Sequence, residues 1–121
     1  MYLQIMGMAI FWSIIMSYRF MRILIFFDLP SVSIDDKRSY IKFRKHLIRA
    51  GFIMLQESVY CKLALNNTVV ESVLSALRKQ KPPDGNIIAL CITEKQFSKM
   101  ELILGNYNTN IIDTDERLII L

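Results

Sequence analysis

The chain has little of what common catalytic and metal-binding sites are built from. It contains one histidine, His46, and two cysteines, Cys61 and Cys91, among 121 residues. Neither cysteine lies at a zinc-ligand spacing, and His46 has no serine or cysteine partner at a recognisable spacing. The four glycines form neither a phosphate-binding loop nor a nucleophile elbow. These absences exclude the motif-bearing zinc proteins, P-loop enzymes and serine hydrolases.

Both cysteines lie within apolar runs, which predicts buried free thiols in the reducing cytoplasm of a cell. No internal repeat or low-complexity segment is visible. The length is that of a single domain with one hydrophobic core.

Charge is absent from the first eighteen residues. The run approaches the roughly 18–20 apolar residues that span a bilayer, but Gln4, Gly7 and Ser13 interrupt it. It also lacks the positive start of a signal peptide. We interpret residues 1–20 as an apolar N-terminal extension, of which the first fifteen come from a start codon upstream of a natural start at Met16, and we expect no membrane association. The alternatives are a membrane or partner anchor and an ordered extra element.

The first strong structural signal is the run from Met21 to Pro30, which is rich in β-branched and aromatic residues. It predicts a central strand that is buried on both faces. Asp28 ends this strand, and a carboxylate in that place must be solvated, hydrogen-bonded or bound to a cation. Residues 21–121 form the predicted domain.

A helix is predicted over residues 34–50, with Ser33 as its N-cap, Asp35 and Asp36 in its first turn and Gly51 as its stop. Its apolar face consists of four residues, Tyr40, Phe43, Leu47 and Ala50. The opposite face, which we call the basic stripe, consists of Arg38, Lys42, Lys45 and Arg49. No acidic residue lies between Lys37 and Arg49.

The remaining pattern predicts strands near 52–56 and 58–65, a helix, a fully buried strand over 86–92, a short helix and a final strand over 117–121. A capping box is predicted at the start of each of these two helices. Thr68 pairs with Glu71 in the first, and Thr93 pairs with Gln96 in the second. The last helix is expected to bury its apolar side chains, namely Phe97, Met100, Ile103 and Leu104. The order predicts an α+β fold, ferredoxin-like βαββαβ, with an appended C-terminal helix and strand.

Two groups of residues are candidates for function. Asp28 is a candidate Mg²⁺ ligand, and two copies in a symmetric dimer would complete the site; the alternative is an aspartate that caps its own turn. Ser58 either lines the Asp28 site or serves as a hairpin hydroxyl. The basic stripe suits phosphate contacts, with a solvated surface as the alternative, and the net charge of +4 is compatible with both.

Three segments resemble one known family. They are residues 21–30, the end of the basic helix at 47–52, and Gln56-Glu57-Ser58-Val59-Tyr60. Together they resemble the Cas-two family of small CRISPR-associated adaptation proteins, and the resemblance covers residues 21–121. The segments at 85–87, 93–97 and 115–121 are similar to the subtype that accompanies single-protein RNA-guided effectors, which adds such an effector as a further partner.

The resemblance implies a ferredoxin-like homodimer in the cytoplasm of a prokaryote. It implies a subunit of the spacer-acquisition complex that bridges two dimers of the CRISPR integrase and binds double-stranded prespacer DNA. It also implies the alternative of a Mg²⁺-dependent endonuclease, acting on RNA or DNA, in which Asp28 is the catalytic metal ligand. Phe27 stands where many members have tyrosine, a departure that favours the scaffold role.

Overall fold

The computed structural model describes residues 20–105 and contains one antiparallel sheet of four strands. In chain order the elements are β1 (Met21–Asp28), α1 (Ile34–Arg49), β2 (Ile53–Gln56), β3 (Val59–Ala64), α2 (Asn67–Lys79), β4 (Asn86–Thr93) and α3 (Glu94–Phe97). The strands lie in the order β2-β3-β1-β4, with β1 antiparallel to both β3 and β4. The predicted ferredoxin-like βαββαβ order is confirmed, and of the appended helix only the segment Glu94–Phe97 is helical. The predicted final strand and the N-terminal extension lie outside the described residues.

The alternation of side chains along β1 gives the sheet two different faces. Ile23, Ile25 and Phe27 are buried against α1 and α2, in a core that also contains Phe43 and Leu47. The residues that alternate with these point to the other face of the sheet, which we call the open face, namely Arg22, Leu24, Phe26 and Asp28. The central position predicted for β1 is confirmed, although Phe26 on the open face is exposed.

Helix α1 is fixed at both ends by local hydrogen bonds. The Ser33 hydroxyl accepts from the Asp36 N–H at 3.0 Å, and the Asp36 carboxylate accepts from the Ser33 N–H at 3.1 Å. At the other end, the Gly51 N–H donates to Ile48 and the Phe52 N–H donates to Leu47. These two bonds form a Schellman motif, which requires the positive φ of +93° that Gly51 adopts. The predicted cap and stop are confirmed.

Replacing Gly51 by alanine is expected to lower the free energy of unfolding by about 1–2 kcal/mol, because a side chain is strained in the left-handed region. The added Cβ would also lie 2.7 Å from the Lys62 ammonium. Urea unfolding of the two proteins measures the difference. Gly51→Asn should lose less, because asparagine adopts positive φ more readily than alanine. Gly51→Ala in a Lys62→Ala background separates strain from crowding. An unchanged urea midpoint for Gly51→Ala would contradict the prediction.

Helix α2 begins earlier than its predicted capping box, so the assignment of Thr68 as N-cap is wrong. Asn66 is the N-cap, and its side-chain oxygen accepts from the Val69 N–H at 2.9 Å. Asparagine caps helices at least as well as threonine, so the first suitable residue in the chain takes the position. Thr68 and Glu71 lie inside the helix.

Helix α3 confirms the second capping box, between Thr93 and Gln96, but is only four residues long. Phe97 is buried as predicted, whereas three further residues predicted to point inward are exposed, namely Met100, Ile103 and Leu104. The Ser98 hydroxyl donates to the Lys95 carbonyl at 2.7 Å, and such side-chain bonds compete with continued helix.

Strand β4 was predicted to be buried on both faces, and this is wrong. It is an edge strand of the described sheet, and Ile88 is 62% exposed on the open face. An apolar run does not reveal whether both faces of a strand are covered. No helix within residues 20–105 is long and apolar enough to cross a membrane.

Candidate functional site

Asp28 lies at the exposed end of the central strand, where three chain segments meet. The preceding residue, Phe27, donates its N–H to the Ser58 carbonyl in the β2–β3 hairpin at 3.1 Å. On the other side, Asp28 is the cross-strand partner of Asn86 at the start of β4. The backbone that carries the carboxylate is therefore held from both neighbouring strands.

The Phe27 ring fixes the strand end from the helix side of the sheet. Its centroid lies 5.9 Å from that of Tyr40, 5.4 Å from Phe43 and 5.6 Å from Tyr60. Tyr60 is fully buried, and its hydroxyl accepts a hydrogen bond from the Arg44 Nε at 3.0 Å, which raises the pKa of Arg44. Aromatic contacts of this kind stabilise and order a core beyond the area they bury.

Ser58 reaches the site through its backbone. It adopts φ +65°, which is uncommon for a residue other than glycine, in the tight turn between β2 and β3. Its carbonyl holds Phe27, whereas its hydroxyl makes no hydrogen bond with Asp28. The structure thus brings Ser58 next to the candidate ligand as a support for the strand end.

The carboxylate oxygens at the Asp28 end of β1 are ligands of the type that a hard cation prefers. The Asp28 carboxylate is exposed and makes no hydrogen bond or ion pair within residues 20–105, so the turn-capping alternative finds no support there. Mg²⁺ prefers oxygen ligands and is commonly held by one or two carboxylates with water. No group of three metal-ligating side chains exists in the part of the chain that the structure describes. The Asp28 carboxylate is therefore compatible with Mg²⁺, to which it would contribute one ligand.

The other two early acids are occupied elsewhere. Asp36 belongs to the capping box of α1, and Asp35 lies in the same first turn, where the helix dipole favours anions. The structure gives neither residue a role beside Asp28.

All four residues of the basic stripe are exposed. None of its four residues forms an ion pair with an acidic side chain in the range 20–105. By contrast, Arg78 on α2 pairs with Glu71 at 2.9 Å. The stripe is therefore a free cationic surface as far as the described residues show, and it lies on the opposite side of the sheet from the open face.

The open face is covered at one end only. There Arg22, 2% exposed, forms a bidentate pair with Glu94, with Nε–Oε2 at 2.6 Å and Nη2–Oε1 at 3.0 Å. Its guanidinium also lies 4.3 Å above the centre of the Phe97 ring. Toward Asp28 the face is bare and apolar. We call its three exposed residues, Phe26, Ile88 and Leu90, the apolar patch.

Two weaker candidates have structural positions. His46 is half-buried on α1. Cys61 is buried and Cys91 is half-buried, and both are free thiols; burial raises the pKa of the Cys91 thiol.

Fold and site together define a small ferredoxin-like domain with an exposed basic helix on one side of its sheet and an exposed, unpaired carboxylate at one end of it. The family model described as CRISPR associated protein Cas2 matches residues 21–100. The chain belongs to the Cas2 family, one of the families of CRISPR systems, as the resemblance in three short segments indicated.

Individual relatives match over most of the chain. A protein of Treponema denticola named CRISPR-associated endoribonuclease Cas2 is 48% identical over 101 residues, which are 84% of this chain and 100% of the relative. A protein of the same name from Streptococcus mutans is 43% identical over 101 residues, 84% of this chain and 93% of the relative. A third protein of this name, from Ligilactobacillus salivarius, is 39% identical over 101 residues, which are 84% of this chain and 100% of the relative.

Proposed function

We propose that this chain is a homodimeric subunit of the CRISPR spacer-acquisition complex, which bridges two integrase dimers and binds double-stranded prespacer DNA. The observation that carries the proposal is the exposed basic stripe, which lacks ion-pair partners within residues 20–105, in a member of the Cas2 family. The bridging role comes from the family resemblance, and the DNA contact from the chemistry of α1.

The dimensions of the stripe suit a duplex backbone. From Arg38 to Arg49 the helix advances about 16 Å at 1.5 Å per residue. That is roughly the axial length of five base pairs at 3.4 Å each. Four cations along this length match a row of phosphates, and such contacts do not depend on base sequence.

A second copy of the chain is the proposed occupant of the apolar patch. The patch lies in a sheet face that α3 covers only at the opposite end, and its exposed side chains come from adjacent paired positions, such as Phe26 with Ile88. Apolar surface of this kind marks protein–protein contacts. Packing two such faces across a two-fold axis would bring the two Asp28 ends into one assembly.

Ile88→Lys is expected to raise the dimer dissociation constant by at least about a hundredfold, because the new charge would be buried without a partner. Sedimentation velocity over a concentration series measures this change. Val32→Lys, at a position that is 92% exposed, adds the same charge away from the patch and should leave the dimer intact. A dimer of unchanged strength in the Ile88→Lys protein would argue against this face.

A metal-dependent endonuclease is the second candidate function. It is favoured by the exposed, unpaired Asp28 carboxylate on its rigid strand end and by the names of the relatives. Asp28 from each protomer would hold Mg²⁺, and Ser58 and the Phe27 ring would keep the carboxylate in place. Bound there, Mg²⁺ supplies Lewis-acid stabilisation of negative charge on a phosphodiester.

Asp28→Ala distinguishes the two functions in an assay for spacer acquisition with the matching integrase. For the scaffold we expect acquisition within about twofold of the unaltered chain, because none of the interactions proposed for bridging or duplex binding involves Asp28. Metal-dependent cleavage by the same purified variant is measured in parallel. Loss of both acquisition and cleavage would favour the endonuclease as the main role. Cleavage that persists in Asp28→Ala would remove Asp28 from catalysis.

A further inference from the structure

The cross-strand partner of Asp28 is a second oxygen donor that the sequence pattern does not single out. Asn86 is the first residue of β4 and pairs directly with Asp28, the last residue of β1. Residues directly opposite in an antiparallel pair share a face, with Cβ atoms about 4.5–5.5 Å apart. The carboxylate and the amide therefore leave the sheet side by side, on the open face.

Both side chains are available for a ligand. Asp28 and Asn86 are exposed, and neither side chain forms a hydrogen bond or ion pair within the part of the chain that the structure describes. They also do not bond to each other. A polar pair at the rim of an apolar patch, with its oxygens uncommitted, is an arrangement that a cation can use without breaking existing bonds.

The turn before Asn86 fixes the pair in place. Gly85 adopts φ +108° and packs so closely that a Cβ there would lie 2.7 Å from the Asp28 carbonyl oxygen and 2.6 Å from the Leu29 Cδ2. Only glycine permits both this φ and this approach. The backbone of the turn is thus pressed against the end of β1, and the spacing of the two donors does not rely on flexible loop.

We infer that Asn86 is a metal-binding residue that acts with Asp28, its side-chain amide oxygen supplying a second protein ligand for a divalent cation of the Mg²⁺ type. Mg²⁺ takes oxygen ligands, and amide oxygens suit hard cations as carboxylates do. The inference rests on the proposed metal site at Asp28. In the proposed dimer the site would then hold two carboxylates and two amides, one pair from each protomer.

The test uses Mn²⁺ as a probe, with the electron paramagnetic resonance signal of the free ion reporting binding to the full chain and Mg²⁺ as competitor. Asn86→Ala is expected to weaken binding by about tenfold, at the low end for loss of a group that supports a metal site. Asn86→Asp is expected to tighten it by about tenfold, because affinity rises with the charge of the ligand set. Asn67→Asp adds the same charge at the exposed start of α2 and should leave affinity unchanged.

Asp28→Asn separates failure of this inference from failure of the site itself. If Asp28→Asn loses binding while both Asn86 variants bind like the unaltered chain, Asn86 is not a ligand and the site at Asp28 stands. If Asp28→Asn also binds unchanged, both assignments are wrong. An effect of Asn67→Asp equal to that of Asn86→Asp would also overturn the inference, because it would show a general charge effect. Melting temperatures, expected to be similar at these exposed positions, verify that each variant is folded.

Discussion

Replacing all four residues of the basic stripe by glutamate is expected to abolish most of the salt dependence of duplex binding. Each phosphate contact contributes about 0.9 to the slope of log affinity against log salt. Four contacts therefore contribute about 3.6, which corresponds to roughly a hundredfold change in affinity between 50 and 200 mM salt. The slope should become shallower by about that amount for one stripe, and by about twice that amount if both stripes of a dimer contact the same duplex. Fluorescence anisotropy with a labelled duplex, titrated at several salt concentrations, measures the slope.

A matched control separates the stripe from net charge. It reverses four exposed lysines that lie off the stripe, namely Lys37, Lys79, Lys81 and Lys99. Both variants carry the same net charge, so general repulsion of DNA is equal in the two. Only the stripe variant should lose the steep slope. Equal loss in the two proteins, or binding that survives reversal of the stripe, would show that α1 is not the duplex face.

Removing the carboxylate of Glu94 is expected to lower the free energy of unfolding by about 3–5 kcal/mol, the range for breaking a buried ion pair. Arg22 is 2% exposed and would keep its charge in the sheet without the bidentate partner, whereas Glu94 is 26% exposed. The substitution would remove the ion pair that joins β1 to α3 beside the Phe97 ring. Urea unfolding of Glu94→Ala at one fixed protomer concentration measures it, because the proposed dimerisation would couple stability to concentration.

The double variant Arg22→Met with Glu94→Met is the informative control. Well-packed apolar replacement of a buried ion pair is often neutral or stabilising, so the double variant should recover most of the loss. Glu94→Gln keeps one hydrogen-bond acceptor and should lie between the two. If the free energy of unfolding of Glu94→Ala lies within about 1 kcal/mol of that of the unaltered chain, the pair contributes no more than a surface salt bridge, and the prediction is wrong.

The features predicted correctly from the sequence are those set by neighbours in the chain. The start of α1 at Ser33 and its stop at Gly51 follow from capping chemistry over a few residues, and the structure confirms both. The buried face of α1, with Phe43 and Leu47, follows from helical periodicity in the same way. The order of elements then restricts the topology to a ferredoxin-like sheet.

The features that could not be predicted depend on residues far apart in sequence. The exposure of Ile88 depends on what covers the open face, and a run of apolar residues is the same for a covered and an uncovered strand. The pairing of Asp28 with Asn86 depends on register between strands separated by two helices. Nothing local to Asn86 marks it, since asparagine after glycine is an ordinary turn sequence. The early start of α2 has a different cause. Asn66 and Thr68 are both suitable N-caps, and the sequence does not show which of the two begins the helix.

The two caps of α1 also fix the rotational phase of the helix. Because Ser33 and Gly51 each hold one end, the number of residues between them decides which direction every side chain faces. One extra residue inside α1 would turn all later positions by about 100°. Arg49 would leave the line of Arg38, and Leu47 would leave the core in the same step. The basic stripe and the buried face of α1 thus depend on the same helix length. A substitution in α1 changes one side chain, whereas an insertion displaces both surfaces.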